Sequence, residues 1–186
     1  IADDCSTNQE IINCLEALEK QDPRIRVVFR STSGGITRAS RDALDAATGN
    51  YITLLDQGDS LAIEGLEIIN SLIVHSPGAD YIYSDEDKID QNGFHFDEFC
   101  KPDWAPERLL GQNYCGHLSV FRHSLVKQVG GFRTGFDGSQ DYDLVLRVSE
   151  QSKHIHHIPA ILYHKRVGEG FPADEEFAKS FANESA

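Results

Sequence analysis

Two carboxylates three residues apart, Asp56 and Asp59 in Leu54-Leu55-Asp56-Gln57-Gly58-Asp59, follow a short apolar run. At that spacing they share a turn and can face one hard cation. Mg2+ and Mn2+ take oxygen ligands and sit well between a carboxylate and substrate phosphates. The same residues also read as an ordinary turn, which Asp and Gly favour. A third acid, Asp141, stands in Gly138-Ser139-Gln140-Asp141-Tyr142-Asp143-Leu144. Taken as a helix start, Ser139 caps and the first-turn acids complement the helix dipole. Taken as chemistry, Asp141 is a general base presented at a helix N-terminus. His154, His156, His157 and His164 crowd a late segment. A lone histidine there is an ordinary polar residue, whereas beside paired aspartates its imidazole is a metal ligand.

The elements that must position these groups follow from periodicity. Helical spacing of Ile11, Leu15 and Leu18 predicts a helix over 8–20, stopped by Asp22-Pro23. Residues 25–29 and 51–55 read as strands, 37–47 and 62–74 as helices, and 81–83 as a strand running into the acids Asp85-Glu86-Asp87. Such alternation predicts a parallel sheet with helices on its faces, with ligands beyond the carboxyl ends of the strands. Asp3 and Asp4, Asp56 and Asp59, and Asp85 all follow apparent strands, so three acidic strand ends are expected to converge on one crevice. The second half reads as a hairpin or loop over 93–102, a short helix over 106–110, a strand over 118–121, helices over 124–129 and 141–150, and a strand over 154–162 interrupted by Pro159.

The 186 residues suffice for one domain with a core, and 40 % are apolar. No run approaches the ~20 apolar residues of a membrane span. There is no Met and no basic-then-apolar leader, so the chain is expected to be a fragment starting downstream of its true N-terminus. A net charge of −13 argues against nucleic-acid binding. It also means that a nucleotide-phosphate ligand needs a divalent cation or local basic groups. Acids gather in the tail after 168, which reads as a solvated end. Cys5, Cys14, Cys100 and Cys115 have no CxxC spacing and read as free thiols in a reducing compartment.

The motifs run in a definite order: Asp-Asp-x-Ser-Thr, Leu-Leu-Asp-x-x-Asp, Tyr-Ser-Asp-Glu-Asp-Lys, Lys-Pro-Asp-Trp, Gly-Gly-Phe-Arg, Gly-Ser-Gln-Asp-Tyr-Asp-Leu and His-Ile-Pro-x-x-Leu-Tyr-His. This series resembles the family 2 glycosyltransferases of the GT-A fold, nearest the bacterial rhamnosyltransferase-like branch of surface-polysaccharide assembly. The resemblance spans 1–166. It implies an α/β fold of GT-A type: a Rossmann-like, mostly parallel sheet flanked by helices, without the usual N-terminal strand. The catalytic domain would cover 1–168 and an acidic tail 169–186.

By position, the resemblance assigns Asp3 or Asp4, with Ser6 and Thr7 behind, to the nucleotide base and ribose. It assigns Asp56 and Asp59 to a Mg2+ or Mn2+ ion completed by His164, with Asp56 also beside the donor. Asp85 falls near the donor sugar or acceptor, and Asp141 becomes the catalytic base. The implied activity is inverting transfer of a sugar from a nucleoside-diphosphate donor to a hydroxyl of a glycan or lipid-linked acceptor. That would occur in the cytoplasm or at the inner membrane face, with any membrane contact peripheral. Two departures stand out. The Pro-x-Tyr/Phe-Asn segment of the first strand is absent, and Gly58 occupies a position that in this branch often carries an acid. Both keep open a nucleotide-sugar-binding module without catalysis, and a nucleotidyltransferase is the other α/β alternative with an acidic metal site. Sequence does not fix donor base, sugar, acceptor or oligomeric state.

Overall fold

The computed structural model describes residues 1–168. The expected acidic tail, 169–186, lies outside the described residues. Strand β1 (Ala2–Asp3) pairs in parallel with β2 (Val28–Phe29). Between them runs α1 (Gln9–Gln21), whose N-cap Asn8 accepts a hydrogen bond from the Glu10 amide at 2.8 Å. Then come α2 (Ile36–Ala46), β3 (Tyr51–Thr53), β4 (Ser60–Leu61), α3 (Gly65–His75), β5 (Tyr81–Ile89) and β6 (His95–Phe99). The chain continues through α4 (Pro106–Leu109), β7 (Ser119–Arg122), α5 (His123–Gln128), α6 (Gln140–Gln151) and β8 (Ile155–Arg166).

The main sheet has the order β3-β7-β5-β8-β4, with β6 also on β5. The α/β class is as expected, but the sense of the strands is mixed and not mostly parallel. Among the described residues only β5 and β8 pair in parallel within this sheet; β7 lies antiparallel between β3 and β5, and β4 and β6 are antiparallel to β8 and β5. The reason lies in the connections. The crossover through α3 leaves β3 and β5 pointing the same way. The turn at Asp90–Gly93 is too tight for a crossover and folds β6 straight back on β5, with the Asp90 amide donating to Phe94 O at 3.0 Å.

Two strands outrun their sequence signals. The acidic run sits inside β5, not beyond its end, because each acid finds a partner from a neighbouring element. β8 continues past Pro159 because the ladder skips it. Ser84 pairs with Ile158 and Asp85 with Ile161, so Pro159 and Ala160 form an irregularity where no ladder amide is needed. Alternation then splits the core. Tyr81, Tyr83 and Phe121 pack towards Leu144, Val145 and Val148 of α6, while Ile82, Val120, Ile158 and Leu162 pack towards Ile69 of α3. Tyr81 stacks on Phe121 with ring centroids 4.7 Å apart. Each such buried side chain contributes roughly 1.5–3 kcal/mol. That burial holds α6, and hence its first turn, against the sheet. Among the described residues no helix is long and apolar enough to cross a membrane.

Candidate active site

The turn after β3 carries Asp56 to Asp59 and is closed by the Asp59 amide on Asp56 O at 3.2 Å. Gly58 takes φ +92°, a left-handed backbone that suits glycine and strains any other L residue, so the departure at this position has a conformational basis. β8 pins the turn. Tyr163 Oη donates to Asp59 Oδ2 at 2.6 Å and accepts from the Asp56 amide at 3.3 Å. The Arg166 amide donates to Asp59 Oδ1 at 2.8 Å, and Arg166 Nε to Gly58 O at 2.9 Å. Burial, followed by the hydrogen bond to Asp59, pushes the Tyr163 phenol well above its ordinary pKa, so it stays a donor.

His117 lies on Tyr163, with ring centroids 4.6 Å apart, and its Nε2 is 3.5 Å from Asp56 Oδ2. Its own backbone is held from below. Its amide donates to Glu86 Oε2 at 3.0 Å, and its carbonyl accepts from Lys101 Nζ. That ammonium is buried and also donates to Glu86 Oε2 at 2.8 Å and to Cys115 O at 2.6 Å. Burial lowers the Lys101 pKa, and the Glu86 charge works against that shift.

Asp141 occupies the first turn of α6. Ser139 is the N-cap residue, but its hydroxyl makes no cap bond; the Gln140 side chain instead accepts from the Gly138 amide at 2.7 Å. Asp141 Oδ1 is shielded from solvent and has no hydrogen-bond partner, while Oδ2 receives only a long contact, 3.4 Å, from Gln140 Nε2. Burial raises its pKa; positive charge on His117 would lower it, and the charge of Asp56 raises it further. Asp141, His117 and Asp56 are therefore within electrostatic reach of one another, and Asp59 shares the turn of Asp56. A carboxylate that is shielded, under-bonded and raised in pKa is poised to accept a proton.

The structure thus gathers Asp56, Asp59 and Asp141 around Tyr163 and His117, and gives the other expected site residues hydrogen-bond partners of their own. Asp85 lies within β5, buried, accepting from the Lys101 amide at 2.8 Å and paired with His157 Nε2 at 2.8 Å. Asp3 accepts from the Ser6 amide at 3.0 Å. Asp4 accepts from Ser33 Oγ at 2.8 Å, from the Gly34 and Gly35 amides, and from Arg30. His164 points its Nδ1 at Asp87, at 2.6 Å, not at the Asp56–Asp59 turn. Tyr163, His117 and Lys101 were not singled out from sequence. A lone His carries no local pattern, and Tyr163 and Lys101 enter only as members of His-Ile-Pro-x-x-Leu-Tyr-His and Lys-Pro-Asp-Trp.

The donor chemistry of the turn suits a hard divalent cation. Asp59 accepts one hydrogen bond at each oxygen, which leaves a lone pair on each, and the Asp56 side chain is half exposed.

The sequence profile of glycosyl transferase family 2 matches residues 1–130. The chain is 46 % identical, over its whole length and 21 % of the other, to the uncharacterized protein y4gI of Sinorhizobium fredii. It is 36 % identical, over 90 % of its length and 13 % of the other, to the O-antigen biosynthesis protein RfbC of Myxococcus xanthus. It therefore spans about a fifth or less of these relatives. Among solved structures, S. aureus TarS 1–349 in complex with UDP-GlcNAc superposes with a TM-score of 0.71 at 19 % identity, over 96 % of this chain and 53 % of that one. The mannosyltransferase PcManGT from Pyrobaculum calidifontis, in complex with GDP-Man and Mn2+, gives 0.65 at 15 % identity, over 91 % and 47 %. These likenesses establish the fold as that of GT-A glycosyltransferases, and the profile match establishes that the chain belongs to glycosyl transferase family 2.

Proposed function

We propose that this chain is the catalytic core of an inverting glycosyltransferase that moves a sugar from a nucleoside diphosphate to an acceptor hydroxyl in surface-polysaccharide synthesis. The observation that carries the reading is Asp141: a shielded carboxylate oxygen without a partner, beside a turn of two carboxylates suited to a divalent cation. The name of the Myxococcus relative, and the ligands in the TarS and PcManGT structures, support the pathway and donor class.

In this reading Asp141 takes the proton of the acceptor hydroxyl as that oxygen bonds to the anomeric carbon from the face opposite the leaving group. The bond from that carbon to the diphosphate oxygen breaks, and the diphosphate leaves with the electron pair. Asp56 and Asp59 would hold Mg2+ or Mn2+, which when bound offsets charge growing on the leaving diphosphate. Tyr163 fixes the Asp59 carboxylate, and His117 stands beside Asp56 within electrostatic reach of Asp141. Asp3 and Ser6 would receive the nucleotide on a loop whose shape Asp4 sets, with Asp85 supporting the donor side of the sheet. Gly58 favours a second reading, a nucleotide-sugar-binding module without turnover. One experiment separates the two: calorimetric titration with nucleoside diphosphates alongside a transfer assay, each with Mn2+ and with EDTA. Binding and transfer that both need the ion support the enzyme. Binding without any turnover supports the module, and full transfer in EDTA removes the cation from the scheme.

A further inference from the structure

Three adjacent strands, β6, β5 and β8, bring His95, Asp87 and His164 together. Asp87 and His164 are direct register partners, and His95 stands opposite Ile89 on the other side of β5, two positions along. Asp87 Oδ1 lies 2.6 Å from His164 Nδ1 and its Oδ2 lies 2.8 Å from His95 Nδ1. The two imidazoles meet edge to face with centroids 4.5 Å apart. One ligand atom from each residue falls within 4.8 Å of the other two. The Asp87 side chain is only 5 % exposed and that of His164 16 %, whereas His95 is 48 % exposed and leaves a way in.

Strand alternation separates this cluster from the crevice. Neighbouring residues of β8 project from opposite faces, so His164 faces away from Tyr163, which holds Asp59. Asp87 faces away from Glu86, which holds His117, by the same rule.

We propose that Asp87, His95 and His164 form a second metal site, for a borderline divalent ion of the Zn2+ class, distinct from the cation of the Asp56–Asp59 turn. Two imidazoles with one carboxylate are a nitrogen-rich donor set that suits such ions and not Mg2+, which prefers oxygen. Ligands bound at about 2.0 Å around a tetrahedral ion stand roughly 3.3 Å apart. The present N–O separations, 2.6 and 2.8 Å, therefore need to open by about 0.7 and 0.5 Å. The ion replaces the two protons that now bridge the imidazoles to Asp87. Those protons move to the other ring nitrogens or to solvent, and water fills the remaining position, so uptake weakens in acid. Bound there, the ion clamps the β6 edge onto β5 and β8.

The full chain, purified without a polyhistidine tag, is titrated with Zn2+ alone by calorimetry and with Co2+ by visible absorption. One ion per chain is expected, with a rise in thermal unfolding midpoint as Zn2+ is added and no thiolate charge-transfer band from the four free cysteines. His95→Ala and Asp87→Asn should each weaken uptake by roughly 10-fold or more and abolish the rise in midpoint. Asp59→Asn, in the other centre, should bind Zn2+ as the parent does. His95 is half exposed on an edge strand, so its variant is expected to fold, and circular dichroism checks that it has. No uptake by the parent chain overturns the proposal. So does uptake unchanged in both His95→Ala and Asp87→Asn, a thiolate band, or an equal loss in Asp59→Asn. None of these readouts depends on transfer activity, so they stand apart from the test of the proposed enzyme.

Discussion

In the loop after β1, Asp4 accepts hydrogen bonds from Ser33, Gly34, Gly35 and Arg30, whereas in the first turn of α6 a shielded oxygen of Asp141 accepts none. Burial pushes both carboxyls upward. At Asp4 the hydrogen bonds outweigh it and bring the pKa from 3.8 to about 2; at Asp141 burial wins and the pKa is raised. The contrast recurs within α6 itself. Asp143, one position past Tyr142, is also pushed upward by burial, but hydrogen bonds from Arg133 and Arg147 hold its pKa low. Buried acids with saturated oxygens fix architecture. An acid with a shielded oxygen that accepts no hydrogen bond keeps a raised proton affinity.

The comparison breaks most visibly at Asp141. Asp141→Asn should lower transfer by about 10²–10⁴-fold, the range of a positioned general base, with nucleoside-diphosphate binding retained in calorimetry. Unchanged turnover would move Asp141 to the architectural class. Next in size is Lys101→Met. It removes the buried ammonium that holds Glu86 and the His117 carbonyl, and breaking such a pair costs about 3 kcal/mol, the lower end of the range for buried pairs because Glu86 is partly exposed. Denaturant titration measures it, and a loss below about 1 kcal/mol would mean that the Lys101–Glu86 pair is replaceable by apolar packing. Asp4→Asn tests the saturated class through pH. The folded-state pKa of Asp4 is depressed, so its stabilisation is complete above 3.8 and is lost as pH falls towards about 2. The parent should therefore lose more stability than the variant across that window in acid titration. Parallel curves would show that the Asp4 network carries no linkage.

What sequence could reveal was what sits close along the chain. The Asp56–Asp59 turn, the first turn of α6 with Asp141 in it, and the ordered series of motifs that betrays the family all lie within short segments. The sequence reading ends the strand at 83, before the acids Asp85-Glu86-Asp87, whereas β5 runs to Ile89. In the fold each acid is satisfied from afar, by His157, by Lys101 and by His95 and His164, and tertiary pairing overrides poor strand propensity. The same blind spot moved His164. With the last strand ending at 162 its direction was open, and only the extension of β8 to Arg166 places it on the face opposite Tyr163. His117 was invisible for another reason: its role comes from a ring stack and two charges contributed by residues far along the chain.

The smallest expected effect sharpens the comparison by altering the surroundings of Asp141 and leaving its carboxylate in place. Positive charge on His117 opposes the effect of burial on Asp141, and negative charge on Asp56 adds to it. Removing that imidazole in His117→Gln takes away the contribution that lowers the Asp141 pKa, so the pKa rises further. A base must be deprotonated to accept the acceptor's proton, so the acidic limb of the transfer rate against pH should shift to higher pH. Asp56→Asn removes a repulsive charge and should shift the limb to lower pH. Both variants also touch the cation turn or its neighbour, so the rate at the plateau will fall for reasons unconnected with proton affinity. The direction of the limb is the diagnostic, because a lost packing contact or a weakened ion changes amplitude without moving the two limbs in opposite senses. Limbs that stay put, or move together, would mean that the group titrating in the rate profile is not the carboxylate at the head of α6.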